Sequence, residues 1–313
     1  MVVDKRASYT AANAIPVKLF FHEETAKLRP IHVNWLPTNR CNLNCPFCSC
    51  SKRDKSLEMP LKEALRVIEE FARLGCKAAT ITGGGEPLCH PRLPEMIEHF
   101  VGCGIDVGLV TNGLLLDTLD LDAIGLLTWC RVSNADHRHF TPAYQRVLDR
   151  VTEVPIDWAF SHVVGPDPNV QEIRRIVEYA NKREFTHVRL VGDLKQPAEI
   201  FMRGIRRHLE DIDERVIYQP RKEYVASNSC LAGYVKPVVG PDFKMYLCCG
   251  VQYALAKPSD DLPEELSMGS ARDLEAVYRD PKPFKVPCAR CYYQAYNDVL
   301  HAMTSQIAHG NFV

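Results

Sequence analysis

The stretch IHVNWLPTNRCNLNCPFCSC (31–50) carries the reading on which the fold turns. Its first part, IHVNWLPT (31–38), alternates in the way a strand does, and it ends where the cysteines begin. Cys41, Cys45 and Cys48 follow as C-x-x-x-C-x-x-C, a spacing that lets one short loop wrap three thiolates around a metal cluster. A structural zinc site uses four protein ligands, whereas an iron–sulfur cubane held by three cysteines leaves one iron open to a substrate or cofactor. A zinc loop with Cys50 as fourth ligand is the competing reading.

Working outward, LKEALRVIEEFARLG (61–75) has apolar residues at helical spacing and a closing Gly75, and KAATITGGG (77–85) reads as a strand entering a glycine turn. The alternation continues with a helix near 93–102 and strands at 105–113 and 127–133. A helix around 142–152, a strand at 156–164, a helix at 170–182, a strand at 187–192 and a helix near 197–208 complete it. Six strands alternating with five helical segments imply parallel pairing through right-handed crossovers. The expected fold is α/β, a partial (β/α)6 TIM-type barrel over 31–215 behind an N-terminal extension at 1–30. The composition then shifts to YVKPVVGPDFKMYLCCG (234–250), a hairpin pattern with PDF at its turn, so a small C-terminal domain is placed at 216–313. AKPSDDLPEEL (256–266) reads as a solvated connection.

The 313 residues are 46% hydrophobic, enough for a core without covalent staples. With 38 Lys+Arg against 39 Asp+Glu there is no overall cationic field, which argues against nucleic acid as a partner. No run approaches the roughly 18 apolar residues of a membrane helix, and the first residues lack the apolar core of a signal peptide. A cytoplasmic protein with no membrane partner is expected, and in that compartment its 13 cysteines serve metals or chemistry more often than disulfides. Cys288-Ala-Arg-Cys291, with Cys230 and one of Cys248 or Cys249, offers four thiolates to a second centre, with zinc as an alternative occupant. Cys76, Cys103 and Cys130 lie in apolar segments and read as packing residues.

The cysteine triplet with Phe47 just before its last member, followed by Gly83-Gly84-Gly85-Glu86-Pro87 at the end of the second strand, resembles the radical S-adenosylmethionine (radical SAM) superfamily. The resemblance implies a [4Fe–4S] cluster on Cys41, Cys45 and Cys48 and bound S-adenosylmethionine, cleaved to a 5′-deoxyadenosyl radical that abstracts hydrogen from an unactivated C–H bond. It implies further that Gly83, Gly84, Gly85 and Glu86 hold the methionyl amino group, the glycines by close backbone approach and the carboxylate by charge. Ser133, with Asn134 or Asp136 sharing the role, resembles the position that meets the ribose, and Val191 one that flanks the adenine. The late cysteines resemble the superfamily's twitch-type auxiliary domain, which implies a second [4Fe–4S] cluster on Cys230, Cys248, Cys288 and Cys291. There the second ligand ends a hairpin of the form D-G-x-x-x-x-C. Asp242 to Cys248 fits that register, with Phe243 in place of the glycine.

If Cys248 ligates, Cys249 points the other way, because consecutive strand residues face opposite sides. Its weak S–H bond suits it to returning a hydrogen atom to a carbon radical, and a buried, inert thiol is the alternative. Cys50 and Cys89, in loops near the cluster and the glycine turn, are further candidate donors. Abstraction followed by donation to the opposite face inverts a stereocentre. At this level the length, the single twitch-like domain and the Cys248-Cys249 pair resemble the radical epimerases of aminoglycoside antibiotic biosynthesis. The implied reaction is of the neomycin C to neomycin B type, at the aminomethyl-bearing carbon of a terminal amino sugar, with a flavodoxin or ferredoxin as reducing partner. Such a polycationic substrate calls for carboxylates, and Asp136, Asp167 and Asp193 are placed near strand ends. The tail from Cys291 mixes aromatics and amides suited to sugar rings or to a packed terminal helix. Two alternatives stand beside this: a radical SAM dehydrogenase or peptide-modifying enzyme using the auxiliary cluster as electron acceptor, and an iron–sulfur electron carrier or zinc-binding interaction protein.

Overall fold

Small and β-branched residues flanked by amphipathic helices pair side by side in a computed structural model that describes residues 28–193, 199–200, 203–204, 213–219, 225–257, 261–291 and 293–304. Seven strands run parallel: β1 (His32–Trp35), β2 (Ala78–Ile81), β3 (Asp106–Thr111), β4 (Trp129–Ala135), β5 (Asp157–Val164), β6 (His187–Gly192) and β7 (Val216–Gln219). Helices α1 (Leu61–Arg73), α2 (Leu93–Gly102), α3 (Leu121–Gly125), α4 (Pro142–Val151) and α5 (Val170–Lys182) fill the crossovers. In α1 the apolar residues Ala64, Val67, Ile68 and Phe71 fall on one face at helical spacing and are buried, and Gly75 ends the turn at φ +88°. In α5 the Asn169 side chain accepts from the Glu172 backbone N–H and caps the helix start.

The chain then returns to the free edge of β1. After β8 (Val225–Cys230) and the short helix α6 (Ala232–Val235), β9 (Val238–Val239) pairs parallel to β1, with Asn34 opposite Val238 and Trp35 opposite Val239. Strands β10 (Lys244–Tyr246) and β11 (Ser267–Ser270) extend the sheet antiparallel, giving the order β11-β10-β9-β1-β2-β3-β4-β5-β6-β7. A separate ribbon pairs β8 with β12 (Phe284–Cys291), and the helix Gln294–Thr304 packs beside it. One sheet therefore runs through position 215, with β7 on one edge and β9 to β11 on the other.

The expected strands at 31–38 and 77–85 stop at Trp35 and Ile81, because the following residues bond to each other as site loops instead of continuing the ladder. The 234–250 hairpin forms, although residues 232–235 are helical. At its turn Phe243 takes φ +64°, the left-handed conformation a glycine would favour. That costs about 1–2 kcal/mol for a residue with a Cβ. The ring offsets it by complete burial, edge-on to Trp35 and beneath the Arg272 guanidinium at 4.5 Å. The 256–266 segment is more than a solvated connection, since Leu266 at its end is fully buried. Cys76 and Cys130 are buried, and Cys103 is half-buried after α2. The extension at 1–27, most of the 197–208 helix and residues 305–313 lie outside the described residues. Among the described residues no helix is long and apolar enough to cross a membrane.

Candidate active site

The loop after β1 and the turn after β2 are locked together by their backbones. Gly85 N–H donates to Thr38 O at 2.9 Å and Glu86 N–H to Arg40 O at 2.7 Å. A Cβ at Gly84 would lie 1.9 Å from Asn39 Oδ1, and one at Gly85 1.9 Å from Arg40 O, so only glycine permits the approach. Together they wall a cavity of about 180 Å³, lined by Cys41, Cys45, Phe47 and Cys48 on one side and by Gly83, Gly84, Gly85 and Glu86 on the other. Every cysteine of the chain is a free thiol. Backbone N–H groups already point at two of these sulfurs, Leu43 to Cys41 at 3.4 Å and Cys50 to Cys48 at 3.3 Å. Burial pushes the Cys41 and Cys45 thiols above their ordinary range.

Glu86 is buried and largely engaged. Its carboxylate accepts from Thr111 Oγ1 at 2.6 Å, Asn112 N at 2.7 Å and Leu88 N at 3.2 Å. Burial raises its pKa and these hydrogen bonds oppose the rise. A carboxylate offers about four acceptor positions, so one remains for a ligand cation. Ser133 lines the same cavity, as does Asn134, whose amide is buried with neither Oδ1 nor Nδ2 partnered. An orphaned amide of that kind suits a ribose hydroxyl. Among the lining residues that escape the sequence reading are Asn112 and Arg138. Arg138 donates to Ser133 O and Asn112 O, each at 3.1 Å, and so ties the ends of β3 and β4 together. The only signal in the sequence was TNG (111–113) at a strand end, which marks a turn and not a site.

Other expected residues stand apart. Val191 is half-buried on β6 and outside that lining. Asp136 commits its oxygens to His162 Nε2 at 2.8 Å, Gly165 N at 2.6 Å and Asn169 N at 3.4 Å, which fastens the loop after β5. Asp167 is exposed in that loop, and Asp193 follows β6 with its N–H on Val164 O.

The late cysteines come from three segments and share one cavity. Cys230 ends β8, Cys248 follows β10, and Cys288 and Cys291 lie on β12. Fully buried Asn297 fixes the corner, its Oδ1 accepting from Leu231 N and Ala232 N at 2.9 Å and its Nδ2 reaching Cys230 Sγ at 3.8 Å. Burial pushes the Cys248 thiol up. Cys249 is exposed instead, its Sγ 3.1 Å from the Tyr293 hydroxyl, and it is outside the lining of the first cavity. The two cysteine regions touch through Gln252, which donates to Ser49 O at 2.8 Å and accepts from the buried Arg53 guanidinium. Cys50 Sγ lies 3.9 Å from the same amide oxygen. Among the described residues, no three His, Cys, Asp or Glu side chains converge as a single metal ion requires.

The sequence profile of the Radical SAM superfamily matches residues 35–203, more than half of the chain, and the protein belongs to that superfamily. Membership makes it an enzyme and brings one [4Fe–4S] cluster and S-adenosylmethionine as cofactors. The glycine cradle, the orphaned Asn134 amide and the reduced thiol triplet fit both groups. Among curated proteins it is 38% identical over 170 residues to GTP 3′,8-cyclase of Chlorobaculum tepidum, covering 48% of this chain and 49% of that one. It is 37% identical over 82 residues to PqqA peptide cyclase of Granulibacter bethesdensis, covering 26% and 22%. The chain thus spans less than half the length of these relatives. Among solved structures, Streptococcus suis SuiB bound to S-adenosylmethionine aligns with a TM-score of 0.60 at 15% identity over 81% of this chain and 66% of that one. For anSMEcpe with bound AdoMet the TM-score is 0.57 at 13% identity, covering 87% and 96%. At such identities the likeness is one of fold.

Proposed function

We propose that the protein is a radical SAM epimerase that removes hydrogen from one face of an aminoglycoside carbon and returns hydrogen to the other face from Cys249. The observation that carries this reading is the Cys249 thiol itself. It is exposed, hydrogen-bonded to Tyr293, and left over beside four cysteines that share one cavity.

In this reading Cys41, Cys45 and Cys48 hold the [4Fe–4S] cluster that binds S-adenosylmethionine, within a partial barrel at 31–215. When bound, these cofactors supply a 5′-deoxyadenosyl radical able to take hydrogen from an unactivated C–H bond. The chain's own groups orient and shield. Gly83, Gly84 and Gly85 admit the methionyl backbone, Glu86 offers its remaining acceptor position to the ammonium, Ser133 and Asn134 meet the ribose, and Val191 flanks the adenine. Phe47, edge-on to His137, closes the loop side of the cavity. Cys230, Cys248, Cys288 and Cys291 hold an auxiliary [4Fe–4S] cluster in a twitch-type region at 216–313. Four thiols from three segments that line one cavity support a centre closed by four cysteines.

The substrate loses one hydrogen and gains one, so product and substrate are isomers. Cys249 gives up a hydrogen atom and needs one electron and one proton to be restored, supplied by a flavodoxin- or ferredoxin-type donor. Tyr293 orients the thiol. The aminoglycoside, of the neomycin C to neomycin B type, rests on the whole-chain resemblance. Because Asp136 is occupied within the fold, Asp167 and Asp193 are the carboxylates assigned to substrate ammonium groups.

Anaerobic turnover with S-adenosylmethionine, reductant and neomycin C in deuterated water tests this. An inverted isomer heavier by about one deuterium is expected, since a thiol exchanges with solvent. A product lighter by two hydrogens would instead make the protein a dehydrogenase. Cys249→Ala is expected to cleave cofactor yet release no inverted isomer, and normal turnover by that variant removes the proposed donor.

A further inference from the structure

The cavity face of the sheet carries two guanidinium groups that have no counter-charge among the described residues. Arg131 and Ser133, two residues apart on β4, project from the same face, and Ser133 lines the cofactor cavity. Register places Ala159 and His187 level with Arg131, and Ser161 and Arg189 level with Ser133. Arg189 is thus one residue row from Arg131, with Ser161 on the strand between.

Each side chain is mostly withdrawn from water. Arg131 rests over the Trp129 ring at 5.5 Å, and Arg189 Nη2 donates to Ser161 Oγ at 3.2 Å. Nε of both is buried without a partner. Among the described residues no carboxylate forms an ion pair with either. Burial and the charge of Arg131 lower the pKa of Arg189 to about 10, and burial with the charge of both arginines depresses His187. Folding that brings two cations together, buries them and leaves donors unused is costly unless an acceptor of opposite charge occupies the gap.

We propose that Arg131, Ser161 and Arg189 form a subsite for an oxyanion, a carboxylate or phosphate group, on the cavity face of the sheet and additional to S-adenosylmethionine. Paired guanidinium forks match the planar or tetrahedral oxygens of such groups, and the Ser161 hydroxyl adds a further polar contact. The subsite does not depend on the epimerase reading. Its two cations repel ammonium groups, so the oxyanion is either a separate ion that lets an amino sugar approach or a group carried by the substrate itself.

The test is titration of the cluster-loaded protein, saturated with S-adenosylmethionine, with inorganic phosphate at constant ionic strength, read by calorimetry and by thermal midpoint. Phosphate is expected to bind and to raise the midpoint where chloride does not. Arg131→Met and Arg189→Met should each weaken phosphate binding about tenfold or more, and the double variant should lose the response. Without phosphate these variants should be at least as stable as the parent, because an unpaired buried charge has been removed. An equal response in parent and double variant, or none in the parent, overturns the subsite, as does competition between phosphate and S-adenosylmethionine. Tighter neomycin C binding in phosphate assigns a separate ion. Weaker or unchanged neomycin C binding, with phosphate still bound, assigns the oxyanion to a different substrate and counts against the amino sugar, not against the subsite.

Discussion

The two cysteine regions are built in opposite ways. The first takes three thiols from eight consecutive residues, Cys41 to Cys48, on one loop that leans on the glycine turn. The second gathers Cys230, Cys248, Cys288 and Cys291 from three segments, and needs β9 seated on β1, the β8–β12 ribbon and the Asn297 corner before the thiols meet. A local loop can present its cavity openly because its geometry is short-range. A site assembled from distant segments must be packed to exist at all, which leaves Cys230 buried and Cys249 outside.

The largest test of that contrast is to remove one thiol from each region. In Cys41→Ala, cofactor cleavage is expected to vanish while the proposed auxiliary cluster remains, so on that reading iron falls from about eight to about four atoms per chain. Loss of all iron would show that the loop and the packed site are not independent. In Cys288→Ala the cleavage of S-adenosylmethionine should persist while the proposed four-thiol cluster is lost, as followed by iron analysis and electron paramagnetic resonance.

Next comes the turn that seats the second region. Phe243→Ala should cost about 3–5 kcal/mol, since it empties a filled core position and keeps the left-handed backbone. Phe243→Gly should be more stable than the alanine variant by about 1 kcal/mol, the reverse of the usual order, because glycine relieves the strain at φ +64°. Denaturant titration decides the sign. In the first region, Gly85→Ala forces a Cβ against Arg40 O and should cost about 1–3 kcal/mol while loosening S-adenosylmethionine binding. Unchanged affinity would mean that the loop yields without disturbing the cavity.

The smallest effect lies where the regions join. His32 on β1 is held at a pKa of about 4, below its ordinary 6.5, by burial and by the Lys236 charge beside β9. A depressed histidine contributes stability that is full above pH 6.5 and is lost as pH falls toward 4, because the unfolded chain takes the proton first. With the site half-open to solvent, the loss should be about 1–2 kcal/mol. His32→Gln should flatten the stability profile between pH 6.5 and 4.

Much of the parallel sheet was legible in sequence. The 170–182 helix and the 187–192 strand form with the bounds read from periodicity, since their apolar residues repeat at spacings that only one element satisfies. The cysteine triplet and the glycine turn were legible for the same reason, as local patterns with local causes. Less legible were Asn112 and Arg138, whose roles arise from contacts between strand ends far apart in the chain. Asp136 looked available as an isolated carboxylate, and only folding revealed the His162 ring and two backbone N–H groups already bound to it.

By itself the sequence determined the alternation of strands and helices, the loop that groups Cys41, Cys45 and Cys48, and the need for glycine at 83–85, because each depends on neighbours a few residues away. Tertiary structure alone decided that the late segment joins the sheet at β1, that Phe243 occupies a glycine conformation under Arg272, and that Arg131 and Arg189 share one face. Those outcomes depend on register and on burial, and both arise only when distant parts of the chain exclude water together.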